Sequence, residues 1–184
     1  EAGYILKTRS IPLLRDFAVR EYLRQKLNNR IPVVIDNDAN TAALAELRQG
    51  AGKAFRHFVF TVISTGIGSG LIINGALFRG SGGLAGESGH MISIPFPSEK
   101  TLDKGICGCG NAGCFNSLCS GKMIVYHLQR WIEEGQKTML VNLAGDKEKI
   151  NAKHIGEAYH LGDPLARRAV QQMIHYTAIW LYNV

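Results

Sequence analysis

The chain has 184 residues, 46% of them hydrophobic, with 21 Lys and Arg against 15 Asp and Glu and a formal charge of +6. That is enough apolar sequence for one buried core, and no apolar run approaches the roughly 18 residues that span a bilayer, so a soluble chain is expected. With four cysteines and no signal peptide, the expected setting is the cytoplasm. The basic charge would suit a polyanion, but only Arg15, Arg20, Arg24, Lys26 and Arg30 gather on one predicted helix, which reads as a solvated face rather than a nucleic-acid patch. The chain opens without Met, on EAGYILKTRS, and closes on the apolar QQMIHYTAIWLYNV, so it is expected to be a fragment cut at both ends.

In chain order, residues 14–27 predict an amphipathic helix, with Val19, Leu23 and Leu27 four apart on one face and Asn28 and Asn29 ending it. IPVVI at 31–35 predicts a buried strand of an α/β sheet. Asp36, Asn37, Asp38, Ala39 and Asn40 follow, then a helix-forming run that stops at Gly50 and Gly52. This polar cluster thus sits at a strand's carboxyl end and a helix's amino end, where α/β folds place ligands. Asp38 reads equally as the N-cap of that helix or as a general base taking a proton from a substrate hydroxyl. HFVFTVIS at 57–64 predicts a second buried strand, followed by glycines alternating at 66, 68 and 70. A dinucleotide fingerprint needs a helix next; instead, residues 71–79 predict a hairpin about Asn74-Gly75. What remains is either a plain tight hairpin or a glycine-rich turn whose amides and Thr65 hydroxyl meet phosphates.

Residues 80–86 are glycine-rich, and Glu87 and His90 follow three apart. The stretch 86–114 then gathers His90, Cys107, Cys109 and Cys114, the three thiolates and one imidazole that tetrahedral zinc accepts, complete without Cys119. A disulfide or plain buried thiols is the alternative; Cys107 and Cys109 are too close to bridge each other comfortably. Beyond the knot, helices are predicted at 122–134 after Ser120, at 152–160 after Asn151, and from Leu165 after Asp163-Pro164. Ile124, Leu128, Trp131 and Ile132, and Val170, Met173, Ile174 and Thr177, form their expected inner stripes. His127, His154, His160 and His175 read as core or surface residues rather than ligands.

Taken together, IDNDANTAALAE, STGIGSGLIINGALFRG, GGLAGESGHM and CGCGNAGC, in that order, resemble the ROK family of bacterial sugar kinases and sugar-responsive repressors. The resemblance is close over residues 31–121 and looser elsewhere. It implies the α/β actin-like ATPase fold of hexokinases, of ribonuclease H-like type, with two domains closing over a cleft. The boundary is expected near Asp38: residues 1–38 end the N-terminal domain and 39–184 form the C-terminal domain with its zinc loop. The resemblance makes Asp38 the base, Asn37, Glu87, His90 and Asn116 the sugar contacts, and Thr65, Gly66 and Gly68 the phosphate-binding residues. It implies a structural zinc on His90, Cys107, Cys109 and Cys114, ATP with Mg²⁺ as donor, a sugar acceptor and a homodimer.

Two departures qualify this. Asn116 stands where the family usually has Glu, which removes a charge from the sugar site. The family's Asp-x-Gly-Gly-Thr loop and later adenosine motif are missing, as expected if both lie beyond the ends, and the polypeptide as given is then expected to be inactive. The intact Thr65-Gly66-Ile67-Gly68 favours an ATP-dependent sugar kinase. The second reading is the sugar-sensing domain of a repressor, binding DNA only if a helix-turn-helix precedes Glu1, and the third is a zinc-stabilised domain with no ligand.

Overall fold

The computed structural model describes residues 3–8, 11, 13–94, 107–111 and 113–184. Residues 95–106, inside the 86–114 stretch, lie outside the described residues. Among the described residues there are two antiparallel sheets: β1 (Ile5–Lys7) pairs with β2 (Arg15–Phe17), and β3 (Phe58–Ile63), β4 (Ile67–Ile73) and β5 (Ala76–Phe78) form a meander. The helices are α1 (Val19–Lys26), α2 (Asp38–Gln49), α3 (Phe115–Cys119), α4 (Gly121–Glu133), α5 (Leu140–Ala144), α6 (Ala152–His160) and α7 (Pro164–Asn183). Among the described residues, no helix is long and apolar enough to cross a membrane.

The first two expected elements are corrected. The predicted helix at 14–27 begins instead as β2, because Ile5 and Lys7 pair with Phe17 and Arg15. Asp16 takes φ +49, which no helix accommodates, and its carbonyl accepts from Tyr4 Oη at 2.8 Å. Cross-strand pairing thus overrides helical periodicity until Val19. The IPVVI run forms no strand: none of the described strands lies beside it, and Val34 is 80% exposed.

Strand β4 organises the middle of the chain. The hairpin about Asn74 (φ +55) and Gly75 (φ +76) has the doubly left-handed turn expected of Asn-Gly. Gly68 and Gly70, expected in a turn, lie within β4, because the strand starts at Ile67, earlier than residue 71. Their spacing of two puts them on one face, where α2 packs. A Cβ at Gly70 would sit 2.5 Å from Ala43 Cβ and 2.6 Å from the Ala39 carbonyl, and one at Gly68 3.5 Å from Ala39 Cβ. The missing side chains therefore let the first turns of α2 lie against the strand.

The segment 86–90 is seated against the same strand. Ser69 N donates to the Gly86 carbonyl at 3.0 Å, and any Cβ at Gly86 or Gly89 would overlap the carbonyls of Ser69 and Ile67. A hydroxyl chain, Thr61 to Ser69 at 3.0 Å and Ser69 to Ser88 at 2.6 Å, ties β3, β4 and this segment together.

Two apolar clusters complete the core. Ile124, Leu128, Leu140, Ile155 and Leu165 join α4, α5, α6 and α7, while Ile67, Phe115, Leu118, Cys119 and Trp180 join β4, α3 and α7. Phe115 and Trp180 stack with ring centroids 5.6 Å apart. Helices α6 and α7 start as expected, capped by Asn151 and Asp163, and Asp163 also accepts from Thr138 Oγ1 and Met139 N. Ile174 departs from its predicted stripe and is 62% exposed, since α7 buries Leu165, Ala166, Ala169 and Trp180 instead.

Close packing at Gly70 gives a direct test. Gly70→Ala should lower stability by about 1–3 kcal/mol through overpacking. Gly82→Ala, with nothing within 4 Å of its Cβ, should change it by less than about 0.5 kcal/mol. Urea denaturation of both variants checks this, and equal stabilities would contradict it.

Candidate functional site

The cluster at 36–40 divides its labour. Asn37, rather than Asp38, is the N-cap of α2: its backbone is extended, and its Oδ1 accepts from Ala39 N at 2.9 Å and Asn40 N at 3.3 Å. Asp38 is already the first helical residue and is exposed, its Oδ1 accepting from Ala39 N. Asp36 is held by Arg79 Nε at 3.0 Å, Asn40 Nδ2 at 2.9 Å and Asn37 N at 2.8 Å. Burial works to raise its pKa, but the hydrogen bonds from Asn40, Arg79 and Asn37 and the Arg79 charge bring it below the ordinary carboxylate range. Asp36 is thus a structural ion pair, and Asp38 is the acid presented outward.

Asp38 faces a cavity of about 730 Å³, lined by Asn37, Asp38, Ser64, Thr65, Gly66, Gly68, Glu87 and Lys122 among others. The turn in its wall is pinned from two sides. Gly121 N, at the start of α4, donates to the Ser64 carbonyl at 2.7 Å, and Ile67 N donates to Asn116 Oδ1 at 3.0 Å. Lys122 was not singled out from sequence. A cation in a helix's first turn opposes the helix dipole, and that mismatch is the signal that could have found it.

Behind Glu87 lies the cysteine cluster. One ligand atom each from His90, Cys107, Cys109 and Cys114 falls within 4.8 Å of all the others. His90 Nδ1 faces Cys107 Sγ at 3.4 Å, and its Nε2 lies 3.7 Å from Glu87 Oε2. Cys107 and Cys114 are buried and Cys109 exposed, and all are free thiols. An Ile92–Cys114 bridge and the Phe115 N to Met91 carbonyl bond at 2.9 Å fix the segment after His90 against the last cysteine. Tetrahedral zinc places its sulfur and nitrogen ligands roughly 3.5–3.8 Å apart, so this donor set fits the ion. His90 and Asn116 are not among the residues lining the cavity; Glu87 is the residue that touches both places.

A sequence profile of the ROK family matches residues 1–184. The chain belongs to the ROK family. It is 34% identical over 191 residues to the glucokinase of Streptomyces coelicolor, covering 100% of this chain and 58% of that protein. It is also 34% identical over 170 residues to the xylose repressor of Bacillus spizizenii, covering 92% of this chain and 38% of that one. Among solved structures it resembles the ROK family glucokinase from Streptomyces griseus in complex with glucose and AMPPNP. The TM-score is 0.76 at 30% identity, over 99% of this chain and 58% of that one. The chain thus has the α/β actin-like ATPase fold of ROK hexokinases and spans little more than half of the kinases it matches.

Cys119, outside the ligand set, is buried in the core, and that burial pushes its thiol up to about 12, the Thr177 hydroxyl working the other way. At pH 8, iodoacetamide should therefore modify Cys109 in metal-free native protein and leave Cys119 untouched. Peptide mass spectrometry checks this; equal labelling of the two would contradict it.

Proposed function

We propose that the full-length protein is an ATP-dependent sugar kinase, with residues 1–38 ending one lobe of the cleft and 39–184 belonging to the other. The observation that carries this reading is one cavity shared by Asp38, the Thr65-Gly66 turn and Glu87. A phosphoryl acceptor's base and a phosphate cradle have to face one space, and the shared cavity supports giving Asp38 and the Thr65-Gly66 turn those roles.

In the mechanism, Asn37 and Glu87 hold a hexose in the cavity, and His90 stands behind Glu87 and orients its carboxylate. Asn37 spends its Oδ1 on capping and offers Nδ2 to a hydroxyl. Asp38 accepts the proton of the reacting hydroxyl as its oxygen attacks the γ-phosphorus of MgATP. A new oxygen–phosphorus bond forms, the bond to the β,γ-bridging oxygen breaks, and ADP leaves. Amides of the Thr65-Gly66 turn, the Thr65 hydroxyl and Lys122 balance charge on the phosphates, with Gly68 letting α2 and Asp38 approach. Zinc, when bound through His90 Nδ1 and the sulfurs of Cys107, Cys109 and Cys114, supplies a structural anchor. His90 then keeps Nε2 directed toward Glu87.

A second reading has an observation of its own. Similarity to the Bacillus spizizenii xylose repressor is as high as to the glucokinase, so the same cavity would serve as the sugar-sensing site of a DNA-binding regulator.

A coupled ADP-release assay on the full-length protein with a panel of hexoses separates the two. At least one sugar should be turned over, and Asp38→Asn should lower kcat by about 10²–10⁴-fold. Full activity in Asp38→Asn would overturn the mechanism, and sugar binding without turnover would favour the regulator.

A further inference from the structure

Asn116 engages two partners with the two ends of one side chain. Its Oδ1 accepts from Ile67 N at 3.0 Å, and its Nδ2 donates to Cys107 Sγ at 3.6 Å. Ile67 is the first residue of β4, directly after Thr65 and Gly66, and a Cβ at Gly66 would itself stand 3.6 Å from Asn116 Oδ1. Cys107 is buried beside His90 Nδ1. We propose that Asn116 is a positioning residue that couples the metal cluster to the phosphate turn, one end donating to the Cys107 thiolate and the other holding the amide that begins β4.

The chemistry explains why the family's usual Glu can be replaced here. A carboxylate has no N–H to offer a thiolate and adds a negative charge near three of them. A carboxamide offers a donor to the sulfur and an acceptor to the backbone amide in one planar group. Each bond removes a cost the other cannot: Ile67 is only 7% exposed, so its amide needs a partner, and a buried thiolate needs donors to hold its charge. Helix α3, which carries Asn116, is anchored on both sides of it by buried Phe115 and Ser117, so the side chain has little freedom to leave either partner. With Gly121 N on the Ser64 carbonyl, the turn is then held from α3 and from α4. Metal occupancy and turn geometry become linked through this one residue. The phosphate role of the turn rests on the kinase reading; the metal limb does not.

The test uses the full-length protein with Co²⁺ in place of zinc, comparing parent, Asn116→Asp and Asn116→Gln. Asn116→Asp keeps an acceptor for Ile67 N but sets an anionic oxygen against Cys107. Its sulfur-to-cobalt charge-transfer band should move to longer wavelength, since the thiolate loses the hydrogen bond that lowers its lone pairs. Chelator competition should show zinc affinity reduced by about 10–100-fold. Asn116→Gln retains the N–H and should keep the band nearer that of the parent. The KM for ATP should rise more than kcat falls in Asn116→Asp. An unshifted band with parental zinc affinity in Asn116→Asp overturns the proposal; if that variant does not fold, the same result in Asn116→Leu, of similar shape and without a donor, does so. If even the parent turns over no sugar, the kinase reading fails, while the cobalt band and zinc affinity still decide this proposal.

Discussion

The hydrogen bond from Ile67 N to Asn116 Oδ1 is the point where the cysteine cluster, the glycine turn and the central strand meet. Everything that reaches the cavity is referred to β4, which Ile67 begins. Helix α2 lies on its glycine-lined face and brings Asp38; the segment 86–90 lies against Ser69 and Ile67 and brings Glu87, with His90 behind it; α3 and α4 grip the turn before it. Small residues make these approaches geometrically possible, and buried hydroxyls and amides make them specific. A strand of larger residues would push α2 and the segment 86–90 away from it, separating Asp38 from the Thr65-Gly66 turn.

Electrostatics then separates residues that look alike in sequence. Asp36 and Asp38 are two positions apart, yet one is closed into an ion pair with Arg79 and the other is exposed in the cavity wall. Asn37 and Asn40 are absorbed into the cap and the Asp36 network. Three of the four polar side chains of 36–40 are thus committed to the cap and the Asp36 network, and Asp38 is left exposed. Lys122 also lines the cavity, at a helix end whose dipole opposes its charge.

Much of this was legible in the chain. Asn-Gly between apolar runs marked the hairpin, Asn151 and Asp163-Pro164 marked the helix starts, and the His90 and cysteine spacing marked the cluster, because each is local chemistry with one geometric solution. What failed was set by partners far along the chain. Residues 15–17 became a strand through pairing with residues 5–7, and the apolar run at 31–35 found no strand beside it. The cap moved from Asp38 to Asn37, a shift of one residue that periodicity cannot resolve. The roles of Gly68, Gly70 and Asn116 depend on contacts between distant segments and emerge only from the packed structure.

The central claim, that the cysteine cluster holds the Thr65-Gly66 turn through Asn116, is tested most directly by amide hydrogen exchange at Ile67 in the full-length protein with and without zinc. The account predicts an Ile67 amide protected in the zinc-loaded protein, whose exchange accelerates on chelation by at least about tenfold more than that of the β3 amides. Equal exchange at Ile67 in the two forms would contradict it.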